Sequence, residues 1–536
     1  MEAYRWLHCR MVDNIFCKTL YMDRDALYYK LRRGKELKLQ NNFIRIHKND
    51  NIAVALEDVK KDGNVIGVSE VLKAFEDVPF GHKMALMDIE KDDMIIKYGA
   101  PIGKANTTIK KGQWVHTHNI KTNLSGKLKY TYNPEPRNEV DVKNSTMFFD
   151  GYKRENGNVG TRNEIWIIPT VSCVNKTVEK IAILADKMFP EACDGIFAYP
   201  HNAGCSQLGD DHDTTQKILA SIVHHPNAGG ILLVSLGCEN NDFEHFIPTL
   251  GDYDKKRIKF MVTQDVEGDE LEKGLELIKE IIEELKNDKR EPVSVSELKI
   301  AFKCGGSDGF SGITANPLCG LIADRITAVG GSAILTEVPE MFGAETLLMN
   351  RADNEETFQK IVDMINSFKQ YYIDYNQPIY ENPSPGNKKG GITTLEEKSL
   401  GCIQKGGHAA VTDTLSFGER CKTPGLNLMT GPGNDNVSIT NLLASGAHIL
   451  LFTTGRGNPL GTAIPTIKVS TNTNLYNRKN HWIDFDAGII LQDNSFENST
   501  DKLWEYIIKV ASGKELTKNE INGYKEIMIF KNGVLL

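Results

Sequence analysis

Thiols, carboxylates, hydroxyls and glycines crowd together in Ala301–Pro317, AFKCGGSDGFSGITANP. Cys304, Ser307, Asp308 and Ser311 sit among so many glycines that the backbone must turn tightly beside them, as it does around a small ligand. The arrangement recurs. The apolar run WIIPTVS leads to Cys173, IFAYPHNAG to Cys205, ILLVSLG to Cys238 and SAILT to Glu337. In HNAGCSQLGDDH, Cys205 stands with His201, Asp210, Asp211 and His212, and LGCENN adds Glu239 to Cys238. Thiolate, imidazole and carboxylate together suit a divalent transition metal. Each cysteine taken singly reads equally well as a small buried hydrophobe.

Two alternative ligand sets follow. One is Cys205, Cys238 and Cys304. The other is His47, His82, His116 and His118, with Asp50 nearby. HTH (His116–His118) predicts two imidazoles on one side of a strand, because strand side chains alternate. Arg456, in the glycine turn TTGRGNP, suits bidentate capture of a carboxylate; the alternative is a partner inside the protein. ENPSPGNKKGG presents Asn382, Asn387, Lys388 and Lys389 on a constrained loop, where a lysine binds an acid, moves a proton or is merely solvated. The acid–base candidates are His82, His201 and Lys388. The substrate-binding candidates are Ser307, Asp308, Asn387 and Arg456. No GxGxxG or GxxxxGK[ST] occurs, which disfavours nucleotide binding, and no placed Ser-His-Asp set is legible, which disfavours serine hydrolysis.

The elements that must position these residues are multidomain α/β. Residues 41–124 are short β-like runs broken by turns, a small β domain. Residues 125–148 are polar and aperiodic, a linker. Alternating β and α runs over 149–295 and 296–536 predict two α/β regions with largely parallel sheets, divided near the charged, proline-bearing NDKREPVSV (Asn287–Val295). Glu381–Gly401 reads as a long functional loop. In such sheets ligands bind at the carboxyl ends of the strands, where Cys173, Cys205, Cys238, Cys304 and Glu337 are expected, while the histidine set belongs to the small β domain. Residues 1–40 are a basic, aromatic extension without a signal-peptide pattern.

At 536 residues the chain needs several domains, and a net charge of -8 argues against a dedicated nucleic-acid binder. No apolar run approaches the roughly 20 residues that span a membrane. Ten cysteines without CxxC pairs suit a reducing, cytoplasmic setting.

Several long segments carry a resemblance: GNVGTRNEIWIIPTVSCVN, HNAGCSQLGDDH, HPNAGGILLVSLGCENN, FKCGGSDGFSGITANP, YENPSPGNKKGGITTLEEKSLGC and LFTTGRGNP. They resemble the altronate/galactarate dehydratase family. The N-terminal IHKNDNIAVAL, GHKMALMDI, IKYGAPIG and VHTHNIKTNLS resemble its small β-clip domain of the SAF type. HTHN and HWIDFDAG are similar to the altronate branch. The resemblance implies a hydro-lyase that removes water from D-altronate to give 2-dehydro-3-deoxy-D-gluconate, with iron(II), alternatively manganese(II), as cofactor. A small sugar acid is the implied partner, with no nucleic acid or membrane, and a homo-oligomer is left open. The alternatives are galactarate or a related sugar acid as substrate, a non-catalytic sugar-acid binder, and an iron–sulfur protein built on Cys173, Cys205, Cys238 and Cys304.

Overall fold

A computed structural model describes residues 41–68, 72–135, 148–493, 495–533 and 535; the extension expected at 1–40 lies outside them. The first unit is all β. Strands Phe43–Ile44, Ile52–Ala55, Lys83–Ala85 and Trp114–Val115 pair antiparallel in that order, and Met94–Lys97, Ala100–Ala105 and Ile120–Lys121 form a second antiparallel sheet. Turn residues with positive φ, among them Asp62, Asp92 and Gly112, punctuate these short strands. The described part of the expected linker is not a free tether. The Tyr130 hydroxyl reaches Glu345 at 2.6 Å, and that of Tyr132 reaches the Ala352 carbonyl at 2.8 Å.

The next unit holds a four-stranded parallel sheet in the order Ile196–Ala198, Glu164–Pro169, Ala228–Ser235, Ile258–Val262. Its two central strands, Glu164–Pro169 and Ala228–Ser235, are buried on both faces, which explains their largely apolar character. Helices Asn175–Met188 and Glu270–Leu285 cover one face and Gly209–Val223 the other. The stretch NDKREPVSV, read as a domain boundary, is structured. Arg290–Ser294 is a strand, antiparallel to Phe148–Lys153, in a three-stranded sheet completed by Val159–Gly160. Pro292 is tolerated because this strand lies at a sheet edge, where one row of donors needs no partner.

The last unit is a seven-stranded, wholly parallel sheet. Its order is Val411–Leu415, Gly425–Met429, Ser332–Leu335, Lys299–Cys304, Ile449–Thr454, Thr466–Ser470, Phe485–Asp486. From Lys299–Cys304 the chain first builds outward on one side; Ile449–Thr454 then starts the other side. The order therefore reverses between these two neighbours, and their carboxyl ends frame the crevice where such sheets bind ligands. The long loop expected at 381–401 contains two helices, Pro385–Lys389 and Leu395–Cys402. The two α/β units share one apolar core, in which helices Gly209–Val223 and Asp435–Ala444 meet, so they are joined as one body.

Candidate active site at the sheet reversal

The loop after Lys299–Cys304 and the loop after Ile449–Thr454 are stitched together. Gly455 N and Arg456 N donate to the Gly306 carbonyl at 3.0 and 2.9 Å. Behind them lies a buried charge cluster. Lys303 pairs with Glu337 and, at 2.8 Å, with Asp435; Lys405 reaches Glu337 at 2.9 Å; Lys398 reaches Glu340 at 2.7 Å. Glu337 is held at φ 74°, an uncommon conformation for a side-chain-bearing residue, by these lysines and by Cys304 N. Burial pushes Glu340 up, but Lys398, Lys303 and Lys405 outweigh it and hold the carboxylate well below its usual range.

Glu340 Oε2 also accepts from the Cys304 and Cys402 thiols, at 3.2 and 3.0 Å, and the two sulfurs stand 3.4 Å apart. Among the described residues, Cys304, Glu340 and Cys402 are the one group of three thiol, imidazole or carboxylate donors within 4.8 Å of one another. Glu340, Cys402, Lys398 and Lys405 escaped sequence reasoning. The signal was there: LEEKSLGC is a fully buried helix dense in charge, and Lys303 interrupts the apolar strand IAFKC.

Ser307 Oγ is buried without any hydrogen-bond partner, and Ser307 lines a cavity of about 10 Å³, the room of one water, with Lys97, Tyr98, Lys398 and Cys402. Asp308 is engaged within the protein. It accepts from Phe310 N, Ser311 Oγ, Thr471 Oγ1 and Asn472 Nδ2 at 2.9–3.2 Å. Asn387 is engaged too, donating to the Ser307 carbonyl at 2.9 Å and accepting from Lys398 at 3.2 Å. Arg456 is different. Its exposed guanidinium has no hydrogen bond or ion pair among the described residues, so the internal-partner reading has no support. The half-buried Lys388 ammonium is equally uncommitted.

The β domain closes over these loops. A Cβ on Gly309 would stand 2.0 Å from the Gly81 carbonyl, and one on Gly391 2.3 Å from it, so glycine is required at both positions for this approach. Trp114 Nε1 donates to His82 Nδ1 at 3.2 Å, which leaves the proton on Nε2, 3.3 Å from the Lys389 carbonyl. Burial, with the Lys83 charge behind it, lowers the His82 pKa, so the ring is a neutral clasp between domains.

The two metal-ligand sets do not survive as drawn. HTH is a turn, closed by Asn119 N on the His116 carbonyl at 2.9 Å, and not a strand. His82, His116 and His118 gather around the Trp114 ring, while His47 packs against Gly99 on a separate turn. Burial pulls His116 down to about 3 and its Nδ1 is unpaired, but both His82 nitrogens are taken. The thiol set splits because its cysteines end strands of two different sheets. Cys304 is buried under the seven-stranded sheet's crevice, whereas Cys205 and Cys238 are exposed beside the four-stranded sheet.

His201 stands apart from the crevice. Its Nε2 lies 2.7 Å from the Pro169 carbonyl and its Nδ1 accepts from Ala203 N at 3.2 Å. Burial lowers it to about 4. An unfolded histidine titrates near 6.5, so this contribution to stability is complete above about pH 6.5 and is lost as pH falls toward 4, up to about 3 kcal/mol. His201→Gln is expected to flatten the loss of urea resistance across that window; an unaltered slope would remove His201 from the acid limb.

Residues 295–535 match the family described as D-galactarate/altronate dehydratase, C-terminal. Residues 151–286 match D-galactarate dehydratase/altronate hydrolase, second domain, and 41–123 match the altronate/galactarate dehydratase SAF domain. The altronate dehydratase of Bacillus subtilis strain 168 is 52% identical over 92% of this chain and its own whole length. That of Escherichia coli K12 is 49% identical over 92% of this chain, again over its whole length. The galactarate dehydratase (L-threo-forming) of E. coli K12 is 32% identical over 91% of this chain and 96% of its own length.

Proposed function

We propose D-altronate as the substrate: the chain belongs to the D-galactarate/altronate dehydratase family, and its identity to altronate dehydratases, 52% and 49%, far exceeds the 32% to galactarate dehydratase. The product is 2-dehydro-3-deoxy-D-gluconate, formed by loss of the C2 proton and the 3-hydroxyl and conversion of the resulting enol to the ketone. The test is a coupled keto-acid assay with D-altronate and galactarate side by side. Faster turnover of galactarate would overturn the assignment.

In this reading the uncommitted Arg456 takes the substrate carboxylate in a planar, two-bond fork. Ser307 Oγ, buried without a partner, bonds a substrate hydroxyl. The Lys388 ammonium, also uncommitted, donates a proton to the departing 3-hydroxyl. The β domain shields the crevice from water, which strengthens each of these contacts. We further propose iron(II), or manganese(II) in its place, at Cys304, Glu340 and Cys402. The donor set suits a borderline-soft divalent ion, and the charges support it: Glu337, Glu340 and Asp435 already offset Lys303, Lys398 and Lys405, so ionising both thiols calls for two positive charges. Bound there, the ion would supply Lewis-acid stabilisation of the charge that develops as C2 loses its proton. The family and the free thiols support a cytoplasmic location. No described helix is long and apolar enough to cross a membrane.

Arg456→Lys should raise KM about tenfold or more with kcat nearly kept, because a point charge replaces the fork. Steady-state kinetics on D-altronate check this, and unchanged constants would return Arg456 to the solvent.

A further inference from the structure

Three neighbouring parallel strands of the four-stranded sheet each deliver a cysteine at the same edge. Glu164–Pro169 runs into the turn Ser172–Val174 with Cys173; Ile196–Ala198 leads to Cys205; Ala228–Ser235 leads to Cys238. All three are exposed. Burial first, then the neighbouring Cys205 and Cys238 thiols, push the Cys173 thiol up. Nothing in the dehydration scheme uses them.

The frame around the thiols is rigid. Ser172 N bonds the Ala203 carbonyl at 3.0 Å, Asn241 Nδ2 the Thr170 carbonyl at 3.0 Å, and Ser206 N the Asn240 side chain at 2.9 Å. Gly204 has φ +100°, and a Cβ there would lie 2.0 Å from the Thr170 carbonyl, so the Cys205 loop is pressed onto the Cys173 loop. The buried Glu239 collects Thr170 Oγ1, Ser235 Oγ, Leu236 N and Gly237 N at 2.6–3.1 Å, which fixes the Cys238 turn. Gln264 Nε2 points a donor at the Cys238 sulfur from 3.6 Å. Side chains locked by a buried frame while their reactive ends stay open are how a protein presents ligands.

We propose that Cys173, Cys205 and Cys238 hold an iron–sulfur cluster, with one iron left for a ligand from outside the chain. Two observations favour a cluster over a single ion. These three sulfurs are not all within 4.8 Å of one another, whereas one ion bound at about 2.3 Å per sulfur draws its thiolates closer than that. Three thiolates with no lysine or arginine paired to them also need a positive group among them, and iron bridged by sulfide supplies it over a wider span. Among the described residues no fourth cysteine stands at this edge, because Cys304 lies buried with Cys402 beneath the other sheet. The cluster therefore has an open corner facing solvent, suited to a hydroxide or to the hydroxyl of a hydroxy acid. This site is independent of the substrate proposed above.

The test is the full-length protein purified anaerobically from iron-replete cells, assayed for iron and acid-labile sulfide and examined by electron paramagnetic resonance after reduction with dithionite. About four sulfides per chain and a cluster signal are expected. Cys173→Ser, Cys205→Ser and Cys238→Ser should each lower sulfide at least about tenfold, with the far-ultraviolet circular dichroism unchanged, while Cys304→Ser keeps it. Iron without sulfide, zinc in its place, a thiol site empty of metal, or sulfide retained in Cys205→Ser would each overturn the proposal. A protein that holds the cluster but spares D-altronate would instead overturn only the substrate assignment.

Discussion

Glu397→Gln is expected to cost about 3–5 kcal/mol of stability and to abolish turnover, because it strips the counter-ion from two buried ammonium groups at once. Glu397 meets Lys83 through Oε2 and Lys97 through Oε1, each at 2.8 Å, with all three side chains almost completely buried. Thr393 N and Oγ1 add bonds at 2.8 and 2.7 Å. Both lysines come from the β domain and the glutamate from the helix Leu395–Cys402, so this triad clamps the β domain onto the crevice. An amide keeps the shape and one acceptor but not the charge.

The pH dependence has a definite sign. Burial, opposed by Glu397, leaves Lys83 at about 8 against an ordinary 10.5. The unfolded chain thus binds this proton more tightly, and stability rises as pH climbs from about 8 to about 10.5. Without the Glu397 charge, Lys83 gives up its proton at still lower pH. The deficit of the variant should therefore shrink between pH 7 and pH 9. Urea denaturation at the two values checks this; an unchanged midpoint at pH 7 would show that the triad does not bear the docking. Replacing all three by apolar residues of similar volume should recover much of the stability.

What could be read from the residues was what local pattern encodes. Apolar runs ending in glycine and polar residues marked the strand ends, and the alternation of β and α marked the parallel sheets, because burial on both faces leaves its trace in each segment alone. The partnership of Cys304 with Cys402 and Glu340 left no such trace. It depends on which of seven strands lie side by side, and segments far apart in the chain supply it. Lys303 and Lys468 were local clues of another kind, lysines inside apolar strands, where a charge persists only with partners or shifts its pKa. Lys303 found carboxylates; Lys468, pressed over the Phe452 ring, is pulled by burial to about 7. The charge of NDKREPVSV concealed a strand because edge strands carry charge and proline as a matter of course. Asp308 and Asn387 were read as substrate-binding residues, one in a glycine-rich turn and one on a constrained loop, yet their hydrogen bonds are spent on holding the loops.

Glu340→Gln is expected to remove the divalent ion proposed at Cys304, Glu340 and Cys402 and to lower kcat by at least about a thousandfold, the scale seen when a preorganised charge-stabilising group is lost. Glu340 is the hub of that group, with Lys398 on Oε1 and both thiols on Oε2. Hydrogen bonding from Cys304, then burial, raise the Cys402 thiol well above its usual range, so without a cation it keeps its proton. In the variant, Lys303, Lys398 and Lys405 face only Glu337 and Asp435, and their excess charge repels a second cation. Iron measured against acid-labile sulfide isolates this site: the variant should lose iron that no sulfide accompanies, while the sulfide content stays. Cys319→Ala, at a buried thiol outside that donor group, is the control and should retain both iron and turnover. A Glu340→Gln protein with full iron and wild-type kcat would show that the ion, if the reaction needs one, is held elsewhere.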